Sequence, residues 1–146
     1  MSELVSEFTI SMDQVDGYQF RVQFAKEGLG DLILDEGPPL GAYAGPSPSM
    51  LLASAIGGCL SSSLLFCTQK QRVDVKSLRA RVKVETVRNE NRRLRIGKVD
   101  VHLDPEIGGD DAERARRCME LFEDFCTVTQ SIRAGIPIEV HVEGYK

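Results

Sequence analysis

From Gly37 through Gln69 the chain carries no charged residue, and the second half of that stretch reads MLLASAIGGCLSSSLLFC. Its length approaches the roughly 20 apolar residues that a membrane span needs. Ser54, Ser61, Ser62, Ser63 and the Gly57-Gly58 pair make it too polar and too interrupted for that role. A central helix buried on nearly all sides fits better. Ser47 followed by Pro48 is a helix-start signal, because a Ser hydroxyl caps free backbone N–H groups and Pro is tolerated in the first turn. The helix is predicted from about Pro48 to Gln71. A helix of about 24 residues spans about 36 Å, which is long for one small domain. A dimer that shares the helix is the natural way to cover it. The mid-helix Gly57-Gly58 pair costs roughly 2 kcal/mol relative to two alanines, which the close approach of another backbone would offset.

Around this segment the pattern is that of β-hairpins. Phe8, Ile10 and Met12 alternate with polar residues, and after Asp16-Gly17 so do Tyr18, Phe20, Val22 and Phe24. That is an antiparallel hairpin around an Asp-Gly turn. A short third strand is expected at Leu32 to Leu34, and then a Pro/Gly-rich loop, GPPLGAYAGPSPS, that continues neither strand nor helix. Leu78, Ala80, Val82 and Val84 alternate with charged residues, and after Asn89-Glu90-Asn91 a partner strand runs through Leu94, Ile96, Val99, Val101 and Leu103. Its change of phase at Gly97 suggests a bulge. Asp110 and Asp111 open a helix whose apolar positions run from Ala115 to Cys126, a short helical turn covers Thr127 to Arg133, and Gly135 ends it. Ile136, Ile138, Val140 and Val142 alternate as a last strand. Hairpins rather than βαβ crossovers make the class α+β, with a mostly antiparallel sheet and segregated helices.

A chain of 146 residues, 42% hydrophobic, buries about two thirds of its unfolded surface in one core, so a single domain over 1–146 is expected. A net charge of -4 with interleaved signs offers no basic patch for a phosphate backbone, and no nucleic acid or membrane partner is expected. The cluster Arg88, Arg92, Arg93 and Arg95 surrounds a hairpin turn and reads as solvated. The first residues, MSELVSEFTISMD, do not read as a secretory signal, so a cytoplasmic chain is expected. Its four cysteines then read as reduced thiols rather than a disulfide framework.

Two segments carry more specific information. DEGPPLGAYAGPSPSMLLASAIGGC resembles a signature of the OsmC/Ohr family, in which a Gly/Pro-rich loop leads into a central helix with a Gly-Gly-Cys core. FCTVTQSIRAGIPIEVHVE is similar to the family's second signature, a Cys followed by a Ser/Thr and a step into the final strand. The similarity covers about Gly17 to the C-terminus. It implies one OsmC-like domain, an intertwined homodimer with two long central helices, and oxidative-stress defence by thiol chemistry. Hydroperoxide and a thiol or dithiol reductant are the implied small-molecule partners, with no cofactor and no metal.

By that resemblance Cys59 is the peroxidatic thiol and Cys126 the resolving one. A thiolate attacks the O–O bond, leaving a sulfenic acid that the second thiol converts to a disulfide. About three turns inside its helix, Cys59 gains little from the helix dipole, so a cation is needed to lower its pKa. Relatives use an Arg from the N-terminal part of the chain, oriented by a Glu near the start of the central helix. Arg21 and Lys26 are the N-terminal cations here, Arg21 being the candidate, and Ser49 and Met50 stand where the Glu would fall. Cys126 has a local advantage, since free N–H groups at the start of the Thr127 turn favour a thiolate.

Other readings compete. A cysteine on an apolar helix is commonly a small buried hydrophobe, and Cys67 and Cys118, without a family counterpart, read as structural. The eight-residue spacing within Cys59/Cys67 and Cys118/Cys126 invites a zinc reading, but zinc ligands usually come from loops at spacings of two to four. His102 and His141 sit in strand patterns and take no role. A protein of this fold that binds a small apolar or thiol-bearing ligand at the dimer interface, without catalysis, is the alternative to a peroxidase.

Overall fold

The computed structural model describes residues 2–145 as two compact units divided between Leu52 and Ala53. In the first unit, β1 (Ser11–Asp16), β2 (Gln19–Gln23) and β3 (Leu32–Leu34) form an antiparallel sheet in chain order. Gly17 takes the left-handed conformation, φ +57°, that the tight β1–β2 turn requires. The predicted alternation begins too early, because β1 starts at Ser11 and Phe8, outside it, is 88% exposed. Val22 and Leu34 are buried, as is Asp35, whose carboxylate accepts N–H groups from Glu36, Ala42 and Ala44 and so closes the Pro/Gly-rich loop on itself. Those bonds, Ala44's first and then Ala42's, hold its pKa below the ordinary carboxylate value against the opposing effect of burial.

Helix α1 (Pro48–Lys70) starts where Ser47 and Pro48 predict, with Ser47 Oγ accepting the Met50 N–H at 3.3 Å. By length and composition alone it could cross a membrane. Its hydroxyls are folded back onto the helix, Ser61 Oγ donating to the Gly57 carbonyl and Thr68 Oγ1 to those of Leu64 and Leu65. A methyl group at Gly57 would come 2.7 Å from Val82 Cγ2, so Gly57 makes room for a side chain rather than for the backbone its sequence suggested. Gly58 faces open space.

The second unit continues with β4 (Val75–Arg88) and β5 (Leu94–Ile107), a long antiparallel hairpin. Asn89 Oδ1 closes its turn by accepting N–H groups from Asn91 and Arg93. Glu85 pairs with Lys98 and Thr86 with Ile96, so Gly97 is the extra residue of the predicted bulge. Helix α2 (Ala112–Leu121) follows, with Asp111 at its start accepting the Asp74 N–H and pairing with Arg114. The expected continuous helix to Cys126 breaks into a 3₁₀ turn at Phe122–Phe125 before α3 (Thr127–Ala134). Ile56, Leu60, Leu64, Val73, Ala115, Cys118 and Cys126 form the buried core of this unit.

Two expectations need correction. Residues 135–142 form no strand, and Ile138 and Val140 are 82% and 78% exposed, because a strand needs a paired edge and none is offered to it among the described residues. The cysteines are not all thiols, since Cys67 on α1 and Cys118 on α2 are joined in a disulfide. The fold class is as expected, α+β with antiparallel sheets and three helices.

Candidate active site: a paired-thiol centre

Cys59 and Cys126, 67 positions apart in the chain, meet where α1 passes the start of α3. Cys126 is the residue before α3, in extended conformation with φ -81° and ψ 101°, and its sulfur accepts the Thr129 N–H at 3.4 Å. It serves as the helix cap that Ser or Asp more often supplies. Cys59 Sγ accepts the next free donor, the Val128 N–H, at 3.5 Å. One short helix start therefore holds both sulfurs, and the two interact directly with each other. Cys126 is fully buried and Cys59 half-buried, so a small molecule from solvent reaches Cys59 first.

The pair divides its charge unevenly. Burial pushes the Cys126 thiol up, but the Thr129 hydroxyl, the Thr129 N–H, Cys59 and Ser63 together outweigh it and bring the pKa below the ordinary thiol value. The Thr129 hydroxyl is buried without a partner in regular hydrogen-bond geometry, so its dipole acts on the sulfur from beyond a formed bond. At Cys59 burial raises the pKa, and the neighbouring Cys126 adds to that rise, against the N–H groups of Val128 and Thr127. The surroundings thus favour ionisation at Cys126 over Cys59, and the two coupled sulfurs titrate as a pair.

No cation is among the groups that shift either sulfur. Arg21, the predicted candidate, stands on β2 and faces Asp31 at 3.9 Å, both side chains nearly half exposed. Ser63 and Thr129 were not anticipated, although a Cys-Thr step before a short helix is itself a cap signal. An apolar cavity of about 470 Å³ lies between α1, β5 and the segment from Met119 to Arg133, with Thr129 in its wall. Ile56, Leu60 and Leu64 line one wall, and the Arg133–Glu123 ion pair, at 2.9 Å, supplies its charged lining. Among the described residues no group of three or more His, Cys, Asp or Glu is arranged to hold a metal ion.

An antiparallel α+β fold with two adjacent thiols, one on a long central helix and one capping a short helix, defines a class of paired-cysteine proteins. Residues 40–141 match the family described as OsmC-like protein, and the chain belongs to that family. Solved structures agree in fold. An OsmC-like protein of unknown function from Vibrio cholerae, 16% identical, superposes with a TM-score of 0.75 over 87% of this chain and 94% of its own. An OsmC-like protein from Mycoplasma pneumoniae, 11% identical, gives 0.74 over 89% of each chain. A Legionella pneumophila protein described as an organic hydroperoxide resistance protein and predicted redox protein, 19% identical, gives 0.64 over 88% of this chain and 92% of its own. No protein of curated function matches.

Proposed function

We propose that this chain is a cytoplasmic thiol peroxidase, one OsmC-like domain over 1–146 acting as a homodimer, that reduces organic hydroperoxides or hydrogen peroxide in oxidative-stress defence. The observation that carries the reading is the direct contact of Cys59 and Cys126 at the start of α3. Two thiols in contact need no large motion to become a disulfide, which is the second half of a two-cysteine peroxide cycle.

In this cycle Cys59 loses its proton as its sulfur attacks the O–O bond. The bond breaks, Cys59 becomes a sulfenic acid, and the leaving alkoxide takes up the proton to depart as an alcohol. The Cys126 thiolate then attacks the Cys59 sulfur and releases hydroxide, which is protonated to water, leaving a Cys59–Cys126 disulfide. An external dithiol reduces that bond, becomes a disulfide itself and resets both thiols. Cys126 thus serves as the resolving thiol, for which a lowered pKa and the larger thiolate fraction it gives are suited. Arg21 enters only as an accessory cation, of the kind that relatives draw from the N-terminal region.

A second reading is favoured by one observation. An apolar cavity of about 470 Å³ reaches Thr129, whose N–H holds Cys126, and the pKa of Cys59 is raised, which suits retention of a small apolar or thiol-bearing ligand without turnover. A coupled assay separates the two: cumene hydroperoxide consumption with dithiothreitol as reductant, in wild type, Cys59→Ser and Cys126→Ser. The peroxidase reading predicts turnover in wild type, no turnover in Cys59→Ser, and at least a tenfold loss in Cys126→Ser. Equal rates in all three, no faster than the reductant alone, leave the binding reading.

A further inference from the structure

The two cysteine pairs lie in one register. Cys59 meets Cys126 and Cys67 meets Cys118, eight residues apart on each side, so α1 and the chain from α2 to α3 run antiparallel with a sulfur pair at each of two levels. Between the two segments lies the apolar cavity, lined by Ile56, Leu60 and Leu64 from α1 and by Met119 and Phe122 opposite. Across this cavity the side chains of the two segments do not interdigitate as those of closely packed helices do. The covalent tie across this gap is the Cys67–Cys118 disulfide, one residue before Met119 in the cavity wall.

We propose that the Cys67–Cys118 disulfide is a redox clasp that controls how often Cys126 is presented to Cys59. Closed, it anchors α2 on α1 and so holds the following turn, with Cys126 at its end, against Cys59. It is opened by an external dithiol, which attacks the half-buried Cys67 sulfur because Cys118 is fully enclosed. The S–S bond breaks, Cys118 leaves as a thiolate and is protonated, and the reductant's second sulfur displaces Cys67 as a thiol, carrying off the oxidised dithiol. With the clasp open, α2 is free to move over the cavity and the disulfide-forming step at Cys59 slows. The consequence for peroxide reduction rests on the reading given above: a site that resolves its sulfenic acid quickly in an oxidised setting and slowly in a reduced one. The clasp itself is tested without peroxide.

Stoichiometric 4,4′-dithiodipyridine converts Cys59 to a mixed disulfide with release of one thiopyridone, and attack by Cys126 on the Cys59 sulfur then releases a second. Quenching and peptide mapping follow the Cys59–Cys126 bond in wild type with the clasp closed, in wild type with it opened by dithiothreitol and desalted, and in Cys67→Ala/Cys118→Ala. The second step is expected to be about tenfold slower in both unclasped forms, reflecting a lower effective concentration of Cys126 at Cys59. In the opened wild type Cys67 is a thiol too, so the second step is scored by peptide mapping only in molecules that carry the Cys59 adduct and a still-open Cys67–Cys118 pair, which keeps the test independent of whether the double variant folds. Equal second-step rates, or Cys67 and Cys118 remaining free thiols under oxidising conditions, overturn the clasp. Repeating the series with cumene hydroperoxide addresses the other reading: Cys59 left unoxidised in every form sinks the peroxidase and leaves the clasp result as it stands.

Discussion

At Cys59 burial and the adjacent Cys126 raise the pKa while two backbone N–H groups lower it, and the raising influences win. Removing the neighbour's charge in Cys126→Ser is therefore expected to lower the pH midpoint for iodoacetamide labelling of Cys59. Cys59→Ala, which deletes a group favouring the Cys126 thiolate, is expected to raise that of Cys126. Alkylation across pH with mass-spectrometric readout checks both, and a Cys59 midpoint that rises in Cys126→Ser contradicts the favoured ionisation at Cys126. The two cysteines were legible in the sequence because each sits in its own local signature. Their charge distribution was not, because it depends on Val128, Thr129 and Ser63, which only folding brings to the sulfurs. The Cys67–Cys118 bond had a signal in the sequence, equal spacings on two antiparallel segments that put both pairs in register, but the reading of both residues as reduced, structural thiols passed over it. Asp35, an ordinary acid in the sequence, shows its role only once its three N–H partners are in place.

Among the elements, α1 was the most legible, since its capping residues and its uncharged length are local properties. What opposes the Gly57-Gly58 pair was misjudged, because the approach of Val82 depends on how β4 packs. Overpacking at Gly57 costs about 1–3 kcal/mol, whereas the gain in helix propensity from Ala is at most about 1 kcal/mol. Gly57→Ala is thus expected to be the less stable variant when compared with Gly58→Ala, which has open space for its methyl. Urea unfolding decides the order, and a more stable Gly57→Ala contradicts the packing of α1 on β4. The clasp closes a chain separation of 51 residues, for which loop entropy gives about 4 kcal/mol. Opening it with reductant is expected to lower the urea midpoint clearly, and an unchanged midpoint contradicts a closed clasp in the folded chain.

For the whole molecule the unanswered demand is cover. Ile136, Ile138, Val140 and Val142 alternate as a strand should, yet all four are exposed, as are Phe8 and, on α1, Phe66. So much apolar surface on one small chain is more than a soluble monomer usually leaves bare. The alternation was correctly seen in the sequence and has no partner among the described residues, which is why the predicted last strand is missing and why the proposed homodimer supplies what the single chain lacks. Sedimentation equilibrium is expected to give twice the chain mass at micromolar concentration, weakened toward monomer when residues 136–146 are removed. A monomer in both forms contradicts the dimer.

The claim on which the functional account turns is that Cys59 and Cys126 exchange electrons with a hydroperoxide. Reduced protein treated with stoichiometric cumene hydroperoxide, then alkylated and peptide-mapped alongside Cys59→Ser and Cys126→Ser, tests it most directly. A peroxide-dependent Cys59–Cys126 disulfide is expected in wild type, and a trappable Cys59 sulfenic acid in Cys126→Ser. Free thiols at both positions after minutes of exposure would contradict it.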